Sequence, residues 1–236
     1  MKGFKLGRYV IPILLFLSHF ILQYATAFFG GVSQLYVDIV RGIGLVVWIN
    51  LAILFLKQEN NLQIFRLQKV RCRYLLATLL GFFFLYASVT LIAPFLVQFK
   101  AVVNQGFHEL MRAALYSSHL WGFILLFEMT ILVPIFEEIV CRGVIQQTYF
   151  KDSPFYFDAL ISSIIFATGH FIGGVFYPVL FVLYCIRGII YGLLCRYTNS
   201  IYYGIILHIV WNIFASWEYW NRWIDNIVII LKLHFS

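Results

Sequence analysis

The hydrophobic pattern of this chain consists of long apolar runs separated by short polar segments. The runs lie at approximately 9–29, 34–56, 74–98, 115–148, 155–172, 176–196, 200–217 and 222–234. A helix needs about 20 apolar residues to cross the hydrocarbon core of a bilayer, and each of the longer runs meets that length. The fifth, seventh and eighth runs are short and need flanking helix, tilt or a thinned bilayer. The pattern predicts an all-α, polytopic membrane helical bundle with about eight transmembrane helices.

Composition strengthens this interpretation and limits the number of domains. Of 236 residues, 62% are hydrophobic and 11% are charged, whereas soluble domains carry about 25% charged residues. The runs nearly abut, which indicates one integrated bundle. Within it, residues 1–112 supply predicted helices 1–3, and residues 113–236 supply helices 4–8 together with all the candidate chemistry.

The distribution of positive charge orients the predicted helices. The formal charge of +7 is spread over short loops, with Lys2, Lys5 and Arg8 before the first run and a cluster within 57–73. Cytoplasmic loops carry the excess of Lys and Arg, so both termini are predicted to be cytoplasmic. The segment 99–114 is then an outer loop, and the first run is a retained helix because it lacks a small-residue cleavage site. No dense basic patch with aromatics is present, so the expected partner is membrane lipid and not nucleic acid.

The fourth run contains Glu137, Glu138 and Arg142 in an otherwise apolar stretch. Each ionisable group in a membrane span costs roughly 2.5–3.5 kcal/mol even on a mild scale, so such groups mark a function or pair with one another. Glu138 and Arg142 are four residues apart on one helix face and are expected to pair. Glu137 points about 100° away and has no partner in its own helix. Glu137 is therefore a candidate acid/base catalyst.

Three further polar residues interrupt the C-terminal runs at a similar depth. His170 lies in the fifth run, and His208 and Asn212 lie four apart in the seventh. At a rise of about 1.5 Å per residue, Glu137 and these three residues fall within roughly 10 Å of one another in depth, near the middle of the membrane. A single residue of this kind is usually a helix–helix hydrogen-bonding group. The gathering of so many in one half of the chain favours a water-containing cavity.

Other charges in the apolar runs are assigned structural roles. Asp38 and Arg41 are three apart and are expected to pair near the outer end of their helix. Glu128 lies nine residues before Glu137 and so about 180° round the helix, where it is a rim carboxylate or contacts another helix. Arg187 is expected to pair with one of the glutamates.

The candidate residues together suit hydrolysis of a peptide bond by activated water. Glu137 would act as general base and His170 would share or position the water. His208 and Asn212 would donate hydrogen bonds to the developing oxyanion, and the Glu138–Arg142 pair would support the wall of the site. This route has no covalent intermediate and needs no cofactor.

Two other chemistries remain as alternatives. Glu137, His170 and His208 would serve as zinc ligands, with the metal carrying the water. The HExxH pattern is absent, so zinc is the second choice. Covalent catalysis by a cysteine or serine nucleophile fits less well. The sequence places no second base near Cys141, and Ser162 and Ser163 are interpreted as small residues that let helices pack closely.

The polar motifs of the C-terminal half resemble a known family over residues 120–216. The elements are Glu137-Glu138-x-x-x-Arg142-Gly143, Phe166-x-x-x-His170 and His208-x-x-x-Asn212, in this order and in membrane helices, with Gly188-x-x-x-Gly192 before the last. They are similar to those of the CPBP family, the CAAX proteases and bacteriocin-processing enzymes, which include type II CAAX prenyl endopeptidases. Cys141 departs from the family pattern, in which many members have an aromatic residue before the arginine.

The resemblance implies an intramembrane glutamate-dependent endopeptidase in which Glu137 and His170 activate water and His208 and Asn212 bind the oxyanion. It also implies a peptide, prenylated-protein or bacteriocin-like substrate. The compact chain resembles the bacterial members more, which favours the bacterial cell membrane and an active site within the bilayer. A non-catalytic immunity or regulatory protein of the same fold is the alternative from a different functional class. A transporter with a glutamate proton relay is less favoured, because no inverted repeat is found.

Overall fold

The computed structural model describes residues 33–66, 69–98, 105–151, 153–172 and 175–235, together with Val10, Ile13, Leu14 and Leu17. Throughout these ranges the regular structure is helical, and they contain no strand. The all-α class is thereby confirmed. The first predicted run, 9–29, lies almost wholly outside the described residues.

Eight helices make up the described part of the chain. They are α1 (Gln34–Gln58), α2 (Cys72–Gln98), α3 (Gln105–Ser117), α4 (119–149), α5 (Phe157–Gly169), α6 (Pro178–Thr198), α7 (Ile201–Ala215) and α8 (Trp217–Phe235). Helix α4 is continuous but changes its winding, with α-helical stretches at His119–Phe127 and Val133–Glu138 and π-helical stretches at Glu128–Leu132 and Ile139–Tyr149. Short 3₁₀ turns at Leu62–Phe65 and Pro154–Tyr156 precede α2 and α5.

The prediction of an outer loop at 99–114 is wrong for its second half. Residues from Gln105 form α3, which ends at Ser117, and the Ser118 side chain then accepts a hydrogen bond from the Trp121 backbone N–H to begin α4. Met111, Ala114 and Leu115 are spaced along one helix face and are buried against α4 and α8. The polar residues of this segment suggested a loop, but Glu109 and Arg112 lie on the exposed face of an amphipathic helix. The division at residue 112 falls inside α3.

Among the described residues, three helices are long and apolar enough to cross a membrane. These stretches are Gln34–Gln58, Cys72–Ile92 and Pro178–Thr198, and two shorter apolar helices cover Pro154–Gly169 and Ile201–Ala215. That about eight helices span the membrane, and that both termini are cytoplasmic, stay predictions.

The outer surface of the bundle is apolar, as a lipid-facing surface requires. Along α1, large apolar side chains are exposed on one face, for example Ile43 at 61% and Leu54 at 53%. On the same helix Asp38 and Arg41 are buried. Exposed apolar patches of this extent mark contact with a membrane or a partner. Apolar helices with charges turned inward make this chain an integral membrane protein.

Helix α6 lies very close to α5 because two glycines face that helix. A Cβ atom on Gly188 would lie 2.8 Å from the Ser163 Cβ and 2.9 Å from its Cα, and one on Gly192 would lie 3.2 Å from the Ala159 Cβ. Small residues spaced by four let helix backbones approach in membranes. This close packing holds the polar face of α6 against the helices that carry the candidate site.

Replacing Gly188 by alanine is expected to destabilise the protein by about 1–3 kcal/mol, because the added methyl group meets backbone atoms of Ser163 that cannot move aside. The measurement is the unfolding midpoint of the purified protein in detergent. Gly42→Ala is the matched control, since a Cβ there has no atom within 4 Å. Equal midpoints for the two variants would show that the α5–α6 contact is looser than the structure indicates.

Candidate active site

The Glu137-Glu138 pair lies where α4 changes its winding. The short α-helical stretch Val133–Glu138 ends at Glu138, and the π-helical stretch Ile139–Tyr149 follows at once. π-Helical turns are rare and are frequently found at functional sites. The side chain of Glu138 is fully buried, whereas that of Glu137 is 15% exposed. The two acids therefore have different surroundings, as their spacing predicts.

The predicted ion pair between Glu138 and Arg142 is present. Glu138 Oε2 lies 3.2 Å from Arg142 Nε, with both side chains fully buried. Arg142 Nη2 also donates a hydrogen bond of 2.7 Å to the Gly188 carbonyl, and its Cζ lies 5.0 Å from the Phe166 ring centroid. The Nε contact has the distance of an ion pair but not the angles of a hydrogen bond. Arg142 neutralises Glu138 and ties α4 to α5 and α6.

His170 faces Glu137 from the end of α5. Its Nδ1 lies 2.9 Å from the Phe166 carbonyl oxygen, which can only accept, so Nδ1 carries a proton and donates it. Its Nε2 lies 3.9 Å from Glu137 Oε1. In the neutral ring, Nε2 and the carboxylate oxygen are both acceptors, and a separation above 3.5 Å is the kind that a water molecule bridges. A water between them can donate one hydrogen bond to each.

His208 connects the two glutamates. Its Nδ1 lies 3.1 Å from Glu138 Oε1 and its Nε2 lies 3.7 Å from Glu137 Oε2. A carboxylate oxygen accepts hydrogen bonds, so the Nδ1–H of His208 is the donor to Glu138. Glu138 therefore orients the imidazole in addition to bracing the wall. A carboxylate on one ring nitrogen fixes the direction in which the other points.

Asn212 follows His208 by one turn of α7, and its amide is partly engaged. Asn212 Nδ2 donates a hydrogen bond of 3.2 Å to the carbonyl of Met129, in the first π-helical stretch of α4. An amide group has two N–H donors, so the second remains for a ligand. The structure thus brings Glu137, His170 and His208 together directly, whereas the contact that Asn212 makes with α4 lies at Met129, eight residues before Glu137.

Two tyrosines of α6 that the sequence analysis did not single out contact the histidines. Tyr184 stacks on His170 with ring centroids 3.9 Å apart, and Tyr191 stacks on His208 at 4.5 Å. They are seven residues apart and so share a helix face. That spacing was visible, but among 15 tyrosines and 25 phenylalanines it carries little information.

The prediction that Arg187 pairs with a glutamate is wrong. Within the described residues, no carboxylate lies at ion-pair distance from it, and the Arg187 Cζ lies 5.2 Å from the Tyr184 ring centroid and 5.3 Å from that of Trp211. The site glutamates already have Arg142 and two imidazoles as neighbours. Arg187 is held by aromatic faces instead.

Two further buried acids, Asp38 and Glu128, belong to a separate structural network. Arg41 pairs with Asp38 at 3.1 Å, as predicted, and also donates two hydrogen bonds of 2.7 Å to Glu128. Trp121 Nε1 donates to the other oxygen of Asp38. Of the two roles predicted for Glu128, contact with another helix is therefore confirmed. This network joins α1 to α4.

The described residues contain no group of three His, Cys, Asp or Glu side chains arranged to hold a metal ion. Glu137, His170 and His208 point towards one another, but their separations of 3.7 Å and 3.9 Å suit a bridging water. Zinc stays an alternative that chelation can test.

Comparison with known proteins identifies the segment that carries this geometry. No curated protein and no solved structure matches the chain. Residues 119–214 match a family model described as type II CAAX prenyl endopeptidase Rce1-like. All six candidate residues, from Glu137 to Asn212, lie within this match. The segment 119–214 therefore matches the Rce1-like family of type II CAAX prenyl endopeptidases, in agreement with the CAAX protease family that its motifs resemble.

Proposed function

We propose that this protein is an intramembrane endopeptidase that hydrolyses a peptide bond with water activated by Glu137 and His170. One observation supports it above the others: the Glu137 carboxylate and the His170 Nε2 face each other across 3.9 Å, while His170 Nδ1 is bound to the Phe166 carbonyl. Two acceptors at this separation suit a water molecule that donates to both. The family that residues 119–214 match is one of endopeptidases, and this match supports assigning the protein to the peptidases.

The chemistry follows from the hydrogen-bonding capacity of each group. Glu137 takes a proton from the water as its oxygen attacks the peptide carbonyl, and later returns that proton to the leaving amine. The oxyanion accepts hydrogen bonds from His208 Nε2 and the second N–H of Asn212. His208 can donate from Nε2 only as an imidazolium, because its Nδ1–H is already donated to Glu138. The Arg142–Glu138 pair thus holds the donor in place.

The proposed substrate is a peptide that enters the membrane. Prenylated-protein and bacteriocin-like peptides are both compatible with the family, and the compact chain favours a bacterial cell membrane. Fully buried Glu138 and Arg142 among apolar helices support a site within the bilayer. A polar site at that depth is tolerated where side chains pair or line a water-containing cavity.

The test is incubation of the purified wild-type protein and of Glu137→Ala with candidate peptides, read by mass spectrometry. The candidates are a farnesylated peptide with a CAAX end and apolar peptides of the bacteriocin type. We expect new fragments from the wild type and none from the variant. Fragments produced equally by both proteins would contradict the proposal.

Metal removal gives an independent prediction about the mechanism. Because the proposed water is held by Glu137 and His170 alone, cleavage is expected to change by less than about twofold after prolonged treatment with a strong chelator. Peptide cleavage before and after treatment is compared, with metal analysis of the same sample. A loss of activity that added zinc restores would establish the zinc alternative.

A further inference from the structure

Arg187 is a half-buried cation beside the candidate site that has no anionic partner among the described residues. Its Nε is buried and makes no hydrogen bond. Buried N–H groups are almost always paired, and one left unpaired costs about 1–3 kcal/mol. The two buried arginines have carboxylate partners, since Arg41 binds Glu128 and Arg142 binds Glu138. Arg187 therefore differs from them in lacking a carboxylate.

The surroundings of Arg187 place it between the two halves of the site. Its guanidinium lies over the ring of Tyr184, which stacks on His170, and over the ring of Trp211, which precedes Asn212. Its Cζ is 5.2 Å from the Tyr184 centroid, and that ring is 3.9 Å from the His170 ring. Placed end to end, these separations put Arg187 within about 9 Å of His170, the length of two to three extended residues.

The exposure of these residues allows a ligand to approach. Glu137 and His170 keep 15% and 24% of their side chains exposed, and Arg187 and Tyr184 are also half-buried. The aromatic rings cover the faces of the guanidinium and leave its N–H edge as the group that can bind. A planar guanidinium edge matches a carboxylate, to which it can donate two parallel hydrogen bonds.

We propose that Arg187 binds a carboxylate of the peptide substrate, two or three residues from the bond that is cut, and so selects where cleavage occurs. The inference rests on the proposed peptidase function. A peptide offers two carboxylates of this chemistry, its C-terminal group and an Asp or Glu side chain. The C-terminal group is present in every peptide, so it is the source to which we commit.

Binding measurements test the site separately from catalysis. The probes are three apolar hexapeptides with an N-terminal fluorophore. The first ends in a free carboxylate, the second ends in a carboxamide, and the third ends in a carboxamide but has Glu as its last residue. Fluorescence anisotropy with the wild-type protein in detergent gives their dissociation constants. The free acid is expected to bind about tenfold to a hundredfold more tightly than the plain carboxamide.

Arg187→Gln is expected to remove this preference and bind the acid and the carboxamide equally. Arg222→Gln is the matched control, because that exposed arginine pairs with Glu218 away from the site, and it should keep the wild-type ratio. The unfolding midpoints of both variants show that each is folded. The inference would be overturned if the wild-type protein bound the free acid and the plain carboxamide with equal affinity. It would also be overturned if binding of the free acid could not be detected. A preference that persists in Arg187→Gln would also overturn it.

The third probe shows whether the bound carboxylate is the C-terminal group or a Glu side chain. A cleavage assay then tests the proposed peptidase function separately from this binding site. Binding of the Glu-containing carboxamide as tightly as the free acid would overturn the assignment to the C-terminus. In a peptide that is cleaved, Arg187→Gln should raise KM for the free acid with a smaller change in kcat, since the group binds without reacting. Acid-selective binding without any cleavage would contradict the peptidase proposal and leave the anion site established.

Discussion

Replacing Glu137 by glutamine is expected to lower kcat/KM for peptide cleavage by about 10²–10⁴-fold, the usual contribution of a general base. The amide keeps the shape of the side chain but cannot take a proton from water. Folding should be little affected, because the contacts of Glu137 with the imidazoles, at 3.7 Å and 3.9 Å, are longer than direct hydrogen bonds. The loss would therefore report on chemistry and not on stability.

The matched control is Glu218→Gln, which makes the same change at a side chain that is 67% exposed and pairs with Arg222 at the surface of α8. This control should retain the wild-type rate. Both variants and the wild type are compared by single-turnover cleavage and by their unfolding midpoints. If folded Glu137→Gln kept more than a tenth of the wild-type activity, Glu137 would not be the base.

Replacing Arg41 by methionine is expected to destabilise the protein by about 3–5 kcal/mol. The substitution leaves Glu128 and Asp38 buried, at 1% and 0% exposure, without the cation that pairs with both. Breaking one side of a buried ion pair is costly because the remaining charge has lost both water and its partner. The free energy of unfolding in mixed detergent micelles is the quantity to measure.

A double substitution separates the contribution of the ion pair to the free energy of unfolding from the contribution of side-chain packing. Arg41→Met with Glu128→Gln removes both charges of the bidentate pair, so part of the lost stability should return. The cycle is completed with Glu128→Gln alone. A cost of under about 1 kcal/mol for Arg41→Met would mean that water reaches the pair, as at surface salt bridges. Cleavage per folded molecule should stay unchanged, because this network lies outside the candidate site.

The polar residues of the site could be selected from the sequence because charge in an apolar run is rare. Glu137, Glu138 and Arg142 were identified by their cost in a membrane span, and helical spacing correctly paired Glu138 with Arg142. Comparison of depth alone suggested that His170 and His208 approach Glu137, and the distances of 3.9 Å and 3.7 Å agree with that suggestion. The catalytic roles of these residues stay predictions.

Contacts between side chains on different helices could not be predicted from the sequence. The bond between Glu138 and His208 depends on how α7 is rotated against α4, and a rotation of one residue would direct the imidazole elsewhere. The same holds for the two tyrosines of α6. Tyr184 meets His170 because α5 and α6 lie close together at Gly188, and Tyr191 meets His208 because α6 packs against α7. Arg187 was assigned a carboxylate because a buried cation usually has one, but aromatic rings surround it.

The sequence by itself determined that this is a helical membrane protein with ionisable groups in its C-terminal half, because apolar length and rare charge are properties of single segments. The tertiary structure alone decided which of those groups meet. It placed Glu137 beside two imidazoles and paired Glu128 with Arg41, and among the described residues it gave Arg187 no carboxylate partner. Helical periodicity fixes which residues share a face, but only packing fixes which faces are opposed, and the chemistry depends on that opposition.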